Sequence, residues 1–324
     1  MKRIGAVILV TTIFSFGAVA DPAASPSTAQ ELARKVITEF QTGNAAELRS
    51  NGVTYIPVFK DGLKASPDDP LIYFALASCE MGQSNEQQTA QEHMEKAFIL
   101  SHKDVHIGLM YALLLKMNKQ PMKAYELNKE MVALHPEVPQ LKIGLATMEM
   151  TIQKYDDAIA ILDELQRIAP PNLAPDDKSV LLFMEGNCYL YKGDRAKAIQ
   201  MLEQSVAISP RLAAVYSPLG EAYLKDGDLD NANKNLDKAL AANPRFASAL
   251  FYKGICAEKA GDNEQARKDF SDAYKYGKLR LADNGEDYYF MFLVSRMLDK
   301  SDEARNYKAE AEKLLFSYEA PWKK

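Results

Sequence analysis

One repeated spacing of glycines runs through this chain and constrains its fold more than any other feature. Gly186, Gly220 and Gly254 stand at equal intervals. So do Gly193, Gly227 and Gly261, at the same step, each followed by an aspartate (Asp194, Asp228 and Asp262). Ala198, Ala232 and Ala266 keep that step, as do Leu202, Leu236 and Phe270, and Pro210 and Pro244 close two of the units. A repeat of about 34 residues is a single supersecondary unit that cannot bury its apolar face alone. Each copy must therefore lean on the next.

Each unit reads as two helices. Between Ala213 and Lys225, the residues Tyr216, Leu219, Gly220 and Tyr223 recur at helical spacing. Gly227 stands where a helix ends in the left-handed conformation, which glycine enters without a Cβ clash. Asp228 is placed to cap the next helix, its carboxylate accepting from orphan backbone amides. That helix carries Ala232, Leu236 and Ala239 on one face and stops before Asn243-Pro244, because proline disfavours helix in the residue before it. Small residues at Gly220 and Ala232 let the two helices of a pair approach closely.

These residues resemble the tetratricopeptide repeat (TPR). Tyr216, Leu219, Gly220, Tyr223, Ala232, Leu236, Ala239 and Pro244 fill the pattern of one unit. The unit at 179–212 keeps Leu182, Gly186, Tyr189, Ala198, Leu202 and Pro210 but has Glu185 where leucine is usual. The unit at 247–280 keeps Gly254, Ala266, Phe270 and Ala273 and has Lys278 in place of the proline. Weaker copies lie upstream. Residues 139–172 hold Leu145, Ala146, Ala158, Leu162 and Pro170, and 105–138 hold Tyr111, Ala112, Ala124 and Pro136, with Pro121 suited to a first helical turn. Residues 71–104 hold Phe74, Ala90 and Ala97, with His102 in the proline slot. An insertion at 173–178 divides units 1–3 (71–172) from units 4–6 (179–280). A degenerate seventh unit and capping helix over 281–318 start from Gly285 with Tyr288, Phe292, Ala304 and Ala311.

The resemblance implies an all-α fold: a right-handed α-solenoid of about seven TPR helix pairs. Residues 29–70, with Leu32, Val36, Ile37 and Phe40 and then Tyr55, Phe59 and Leu63, are expected to form an N-terminal helical cap, since a bare solenoid end leaves apolar surface in water. In the TPR family the first helices line a concave groove that holds a peptide or a partner helix. Carrying the groove slots onto this chain selects Leu109, Leu113, Ile143, Thr147, Met150, Phe183, Asn187, Leu190, Ser217, Glu221, Phe251, Ile255 and Glu258. That lining is mostly apolar and suits an extended peptide or an amphipathic helix; packing against the N-terminal region or a second subunit is the alternative. The TPR subtype that grips C-terminal carboxylates needs a lysine in a slot held here by Ala75, Leu109, Ile143, Phe183, Ser217, Phe251 and Tyr289, so that mode is disfavoured.

Charge and motif content narrow the function further. With 39 basic and 44 acidic residues the chain carries −5, which argues against nucleic-acid binding by phosphate neutralisation. No H-E-x-x-H, G-x-S-x-G or Walker loop is present, so no catalytic residue, metal or cofactor is expected. His102 and His106 have a metal-like i, i+4 spacing, but the frame sets them on either side of a bend. The cysteines, Cys79, Cys188 and Cys256, fall too far apart in the repeat frame to bridge and read as buried thiols.

The N-terminus reads as an address. Lys2 and Arg3 precede an uncharged apolar stretch over 4–16, and Ala18-Val19-Ala20 supplies small residues at a cleavage site. This is the layout of a cleaved secretory signal over 1–20, too short for a membrane span of about 20 apolar residues. Export to a bacterial periplasm is expected, with secretion as the alternative. A disordered leader over 21–28 and a tail over 319–324 with Trp322 complete the chain. The preferred reading is a non-catalytic scaffold or adaptor of the cell envelope that binds a protein or peptide in its groove. A self-associating structural subunit, and an enzyme or regulatory subunit with an unadvertised site, are the alternatives.

Overall fold

The computed structural model of the chain describes residues 28–41, 45–81, 83, 87–168, 174–281 and 285–313. The expected signal over 1–20, residues 21–27 of the leader, the 169–173 stretch and everything after 313, Trp322 included, lie outside them. The described residues are helical throughout, with no strand. In order they form α1 (Thr28–Gln41), α2 (Ala45–Ala65), α3 (Pro70–Glu80), α4 (Gln87–Leu100), α5 (Val105–Met117), α6 (Pro121–Leu134), α7 (Pro139–Thr151) and α8 (Tyr155–Ile168). Then come α9 (Pro175–Lys192), α10 (Arg195–Ile208), α11 (Tyr216–Asp226), α12 (Leu229–Ala242), α13 (Ala247–Lys259), α14 (Asn263–Arg280), α15 (Gly285–Met297) and α16 (Ser301–Lys313). A 3-10 turn, Ala213–Val215, leads into α11. None of the helices is long and apolar enough to cross a membrane.

The chain divides into two units, Met1–Pro136 and Glu137–Lys324. In the first, α3 pairs with α4 and α5 with α6, while α1 and α2 both pack on α3. Ala29, Ala33 and Val36 of α1 and Ile56 and Phe59 of α2 share one core with Ile72, Ala75, Leu76 and Cys79 of α3. Helices α1 and α2 thus cover an apolar face of α3. At its crossing a Cβ on Gly62 would lie 2.4 Å from the Ala29 Cβ, so only glycine fits.

In the second unit α7 to α16 form five successive helix hairpins. Close approach within a hairpin depends on the glycines of the repeat. A Cβ on Gly220 would sit 2.6 Å from Leu236 Cγ, one on Gly186 2.7 Å from Leu202 Cγ, and one on Gly254 2.6 Å from Phe270 Cε1. The turn between the two helices is a single device used repeatedly. Gly193, Gly227 and Gly261 take φ of 86°, 92° and 85°. The amide after each donates back five residues: Asp194 to Tyr189, Asp228 to Tyr223 and Asp262 to Ala257. That is the bond pattern of a Schellman C-cap. The following carboxylates cap α10, α12 and α14 by accepting from the amides of Lys197, Asn231 and Gln265.

The same turn recurs where glycine is absent. Lys119, Gln153 and Asp299 adopt φ of 58°, 65° and 58°, and the amides after them bond back to Leu115, Glu149 and Ser295. Backbone geometry therefore keeps the period into α5–α8 and α15–α16, where the side-chain signature is faint. The insertion at 173–178 differs from a simple linker: Pro175 starts α9, so 175–178 add a turn to the helix itself.

Candidate functional site

The first helix of each pair supplies the expected partner-binding residues, and the structure sorts them by access. In the first unit Leu109 and Leu113 are half-buried on α5. In the second, Ile143, Thr147 and Met150 on α7 and Phe183 and Asn187 on α9 are also half-buried. Ile143 and Met150 border the core that α7 and α8 share with Leu181, Met184 and Cys188 of α9. The Thr147 hydroxyl donates to the Ile143 carbonyl at 2.8 Å.

Further along, the lining closes. Leu190, Ser217, Glu221, Phe251 and Ile255 are buried by the chain itself, and Glu258 is exposed. Phe251 shows 0 % of its surface because Phe270 and Phe290 pack edge-on or tilted against it, with ring centroids 5.8 and 5.6 Å away. The Ser217 hydroxyl is taken by Ser248 at 2.9 Å. Phe270 of α14 and Phe290 of α15 thus enclose Phe251.

A polar cluster occupies the inner face beside them. The Tyr191 hydroxyl of α9 donates to Glu286 Oε1 of α15 at 2.6 Å, joining helices far apart in sequence. Tyr155 of α8 stacks on Tyr191, with centroids 5.6 Å apart and planes 18° from parallel. Glu221 of α11 pairs with Lys225 one turn on at 2.8 Å, both side chains 8 % exposed. The Tyr252 hydroxyl of α13 lies against that carboxylate. Burial, and then Glu286 and Glu221, push the Tyr191 phenol far above its usual value; burial and the same two carboxylates do so for Tyr252. Both phenols therefore remain donors across the physiological range.

The repeat frame did not select Tyr191, Tyr252 or Glu286. A signal was available for Tyr191, since it follows the selected Leu190 and shares its slot with Lys225, one period on. Glu286 had none, because its approach to α9 depends on the summed rotation of the intervening pairs.

Chemistry of other kinds finds little support in the placed side chains. Cys79, Cys188 and Cys256 are buried free thiols, as the sequence suggested. Burial raises the first two to about 12 and the third to about 11, so none is an activated nucleophile. His102 sits in the turn after α4 with φ 54°, and His106 in the first turn of α5. Among the described residues no three His, Cys, Asp or Glu side chains are grouped as a metal ion would require.

Comparison with known proteins agrees with the repeat geometry. Family models described as tetratricopeptide repeat match residues 217–284 and 180–212. No curated protein matches the chain in sequence. Among solved structures, a tetratricopeptide repeat protein from Parabacteroides merdae ATCC 43184 is similar over 82 % of this chain and 98 % of its own, at 18 % identity and a TM-score of 0.60. The human IFIT1 dimer with PPP-AAAA is similar over 90 % of this chain and 74 % of its own, at 17 % identity and 0.53. MamA protein matches 53 % of this chain and 91 % of its own, at 20 % identity and 0.42. At such identities the likeness concerns the fold. Residues 180–284 are thus tetratricopeptide repeats, and the hairpins on either side keep the same left-handed turn, at Gln153 and Asp299 without glycine.

Proposed function

We propose that the chain is a non-catalytic scaffold that binds a protein or peptide segment on the inner face of its first helices. One observation carries the reading. Ile143, Thr147, Met150, Phe183 and Asn187 are half-buried on α7 and α9, while Ser217 and Glu221 on α11 and Phe251 and Ile255 on α13 are buried within the chain. A face of apolar side chains interrupted by the Asn187 amide suits an extended segment or an amphipathic helix.

The proposal includes export. Lys2, Arg3, the apolar stretch over 4–16 and Ala18-Val19-Ala20 support a cleaved signal and a place in the cell envelope. Mass spectrometry of the chain expressed with its N-terminus intact should find a mature end at Asp21 in the exported fraction.

The binding test is a pull-down from envelope extract with the mature chain against a Phe183→Ala, Asn187→Arg variant. Capture of a partner should be lost while circular dichroism is unchanged; capture that survives the double substitution removes the inner-face reading. Phe251 is unsuited to such a test, since its burial makes any polar replacement a test of folding. Light scattering over a range of concentrations separates this reading from a self-associating subunit, which would grow in mass with concentration.

A further inference from the structure

The last described helix is polar, and the residues that follow it are not. In α16 only Ala304 and Ala311 are buried, and its exposed side chains include Asp302, Arg305, Lys308 and Glu312. The segment over 314–324 then brings Leu314, Leu315, Phe316, Tyr318 and Trp322, with Lys323 and Lys324 after them. Burial of side chains this large is among the strongest favourable terms open to a chain. The outward face of α16 has no apolar surface to offer them.

Two apolar surfaces of the second unit lie within reach. One is Leu279 near the end of α14, 67 % exposed. The other is the inner face of α7 and α9, where Ile143, Met150 and Phe183 are half-buried. The hairpin topology sets the reach. The turn residue Asp299 is equidistant in sequence from Gly285 and Lys313, so antiparallel packing brings Lys313 level with the start of α15, about 10 Å away between helix axes. There Glu286 accepts from the Tyr191 hydroxyl of α9 at 2.6 Å. Phe183 precedes Tyr191 on the same helix, about 12 Å back along its axis. Fully extended, the segment over 314–324 spans about 36 Å, which covers both steps and the side-chain bridge between them.

Charge chooses between the two surfaces. Leu279 stands among exposed lysines, Lys275 one turn before it and Lys278 beside it, which repel Lys323 and Lys324. The inner face is edged with acid instead. Glu286 is exposed beside Tyr191, and exposed Asp156, which pairs with Lys192, and Asp157 follow the Tyr155 that stacks on Tyr191. We infer that the segment over 314–324 docks in cis on the inner face of α7 and α9, with Trp322 against Met150 and Phe183, so that an outside partner must displace it. The inference rests on the inner-face reading above and names its first occupant. Tethering gives the segment a high effective concentration, and a partner's apparent affinity falls by the fraction of chain left open.

Trp322 is the only tryptophan in the sequence, so its fluorescence reports where the segment lies. In the full chain its emission should be blue-shifted from that in urea, and quenching by acrylamide about fivefold weaker, as a mostly closed equilibrium requires. With methyl-labelled methionine, a nuclear Overhauser contact should join the Trp322 indole to the Met150 methyl, assigned by its loss in Met150→Leu. The Phe183→Ala, Asn187→Arg variant, with circular dichroism unchanged, should be quenched about fivefold more strongly than the parent, and Leu279→Ser should match the parent. Quenching in the unaltered chain equal to that in urea overturns the inference and needs no variant to fold. So does a protected indole without the Met150 contact, or protection lost in Leu279→Ser and kept in the inner-face variant. Protection that grows with protein concentration also overturns it, since a second copy is then the occupant. None of these readings uses an outside partner: the inference can fail while capture in the pull-down stands, and capture can fail while the indole stays protected.

Discussion

At the scale of single residues, the left-handed turn position separates backbone demands from side-chain ones. Gly227 has nothing within 4 Å of where a Cβ would stand, so its necessity is conformational and not steric. Lys119, Gln153 and Asp299 meet the same demand without glycine's freedom. A non-glycine residue there is strained by about 1–2 kcal/mol, partly offset by glycine's greater freedom in the unfolded chain. Gln153→Gly should therefore raise the unfolding free energy in urea by about 0.5–1 kcal/mol, and Gly227→Ala should lower it by a similar amount. Glu185 is the second residue-scale case. Its folded proton affinity is raised from 4.5, so its contribution is most favourable below the carboxylate range and declines as pH rises through the folded value. Glu185→Leu should stabilise the protein by about 1 kcal/mol at pH 7, with the gain shrinking in melts taken near pH 4. A variant no more stable than the parent at pH 7 would mean that the carboxyl is already compensated.

Helices, as elements, owe their boundaries to short-range chemistry and their partners to small residues. Capping carboxylates and glycine turns act within a few residues, so the pairs α9–α10, α11–α12 and α13–α14 were legible from the sequence, as were the hairpins of weaker signature once the frame was extended. The insertion was less legible. Its Pro175-Asp176-Asp177-Lys178 segment contains proline and acidic residues that suit a first helical turn as well as a link, and the helix took them. The contact between α9 and α15 is an element-scale prediction. Tyr191→Phe removes the bond to Glu286 and keeps the ring stacked on Tyr155. Amide exchange in α15 and α16 should quicken several-fold, consistent with a loss of about 1 kcal/mol, while α11 and α12 keep their protection. Uniform quickening across the second unit would show that the bond is global in effect.

Across the whole molecule, the buried acids set the response to alkali. Cys79 and Cys188 are raised from 9.0 to about 12 and Cys256 to about 11, and Tyr191 and Tyr252 stand well above 10.0. The folded chain holds protons that the unfolded chain releases, so stability is complete below pH 9 and declines as pH rises toward 11 and 12. Thermal melts should show that decline, and at pH 8 a thiol reagent should label none of the three cysteines until denaturant is added. What the sequence determined by itself was the hairpin and its period, because glycine turns, aspartate caps and the Gly–Leu or Gly–Phe contact within a pair all close inside one repeat. What only the tertiary structure decided was which inner-face side chains remain accessible. The small rotation between one pair and the next accumulates until α15 meets α9 and Phe290 meets Phe251, and no residue in a single repeat encodes that sum.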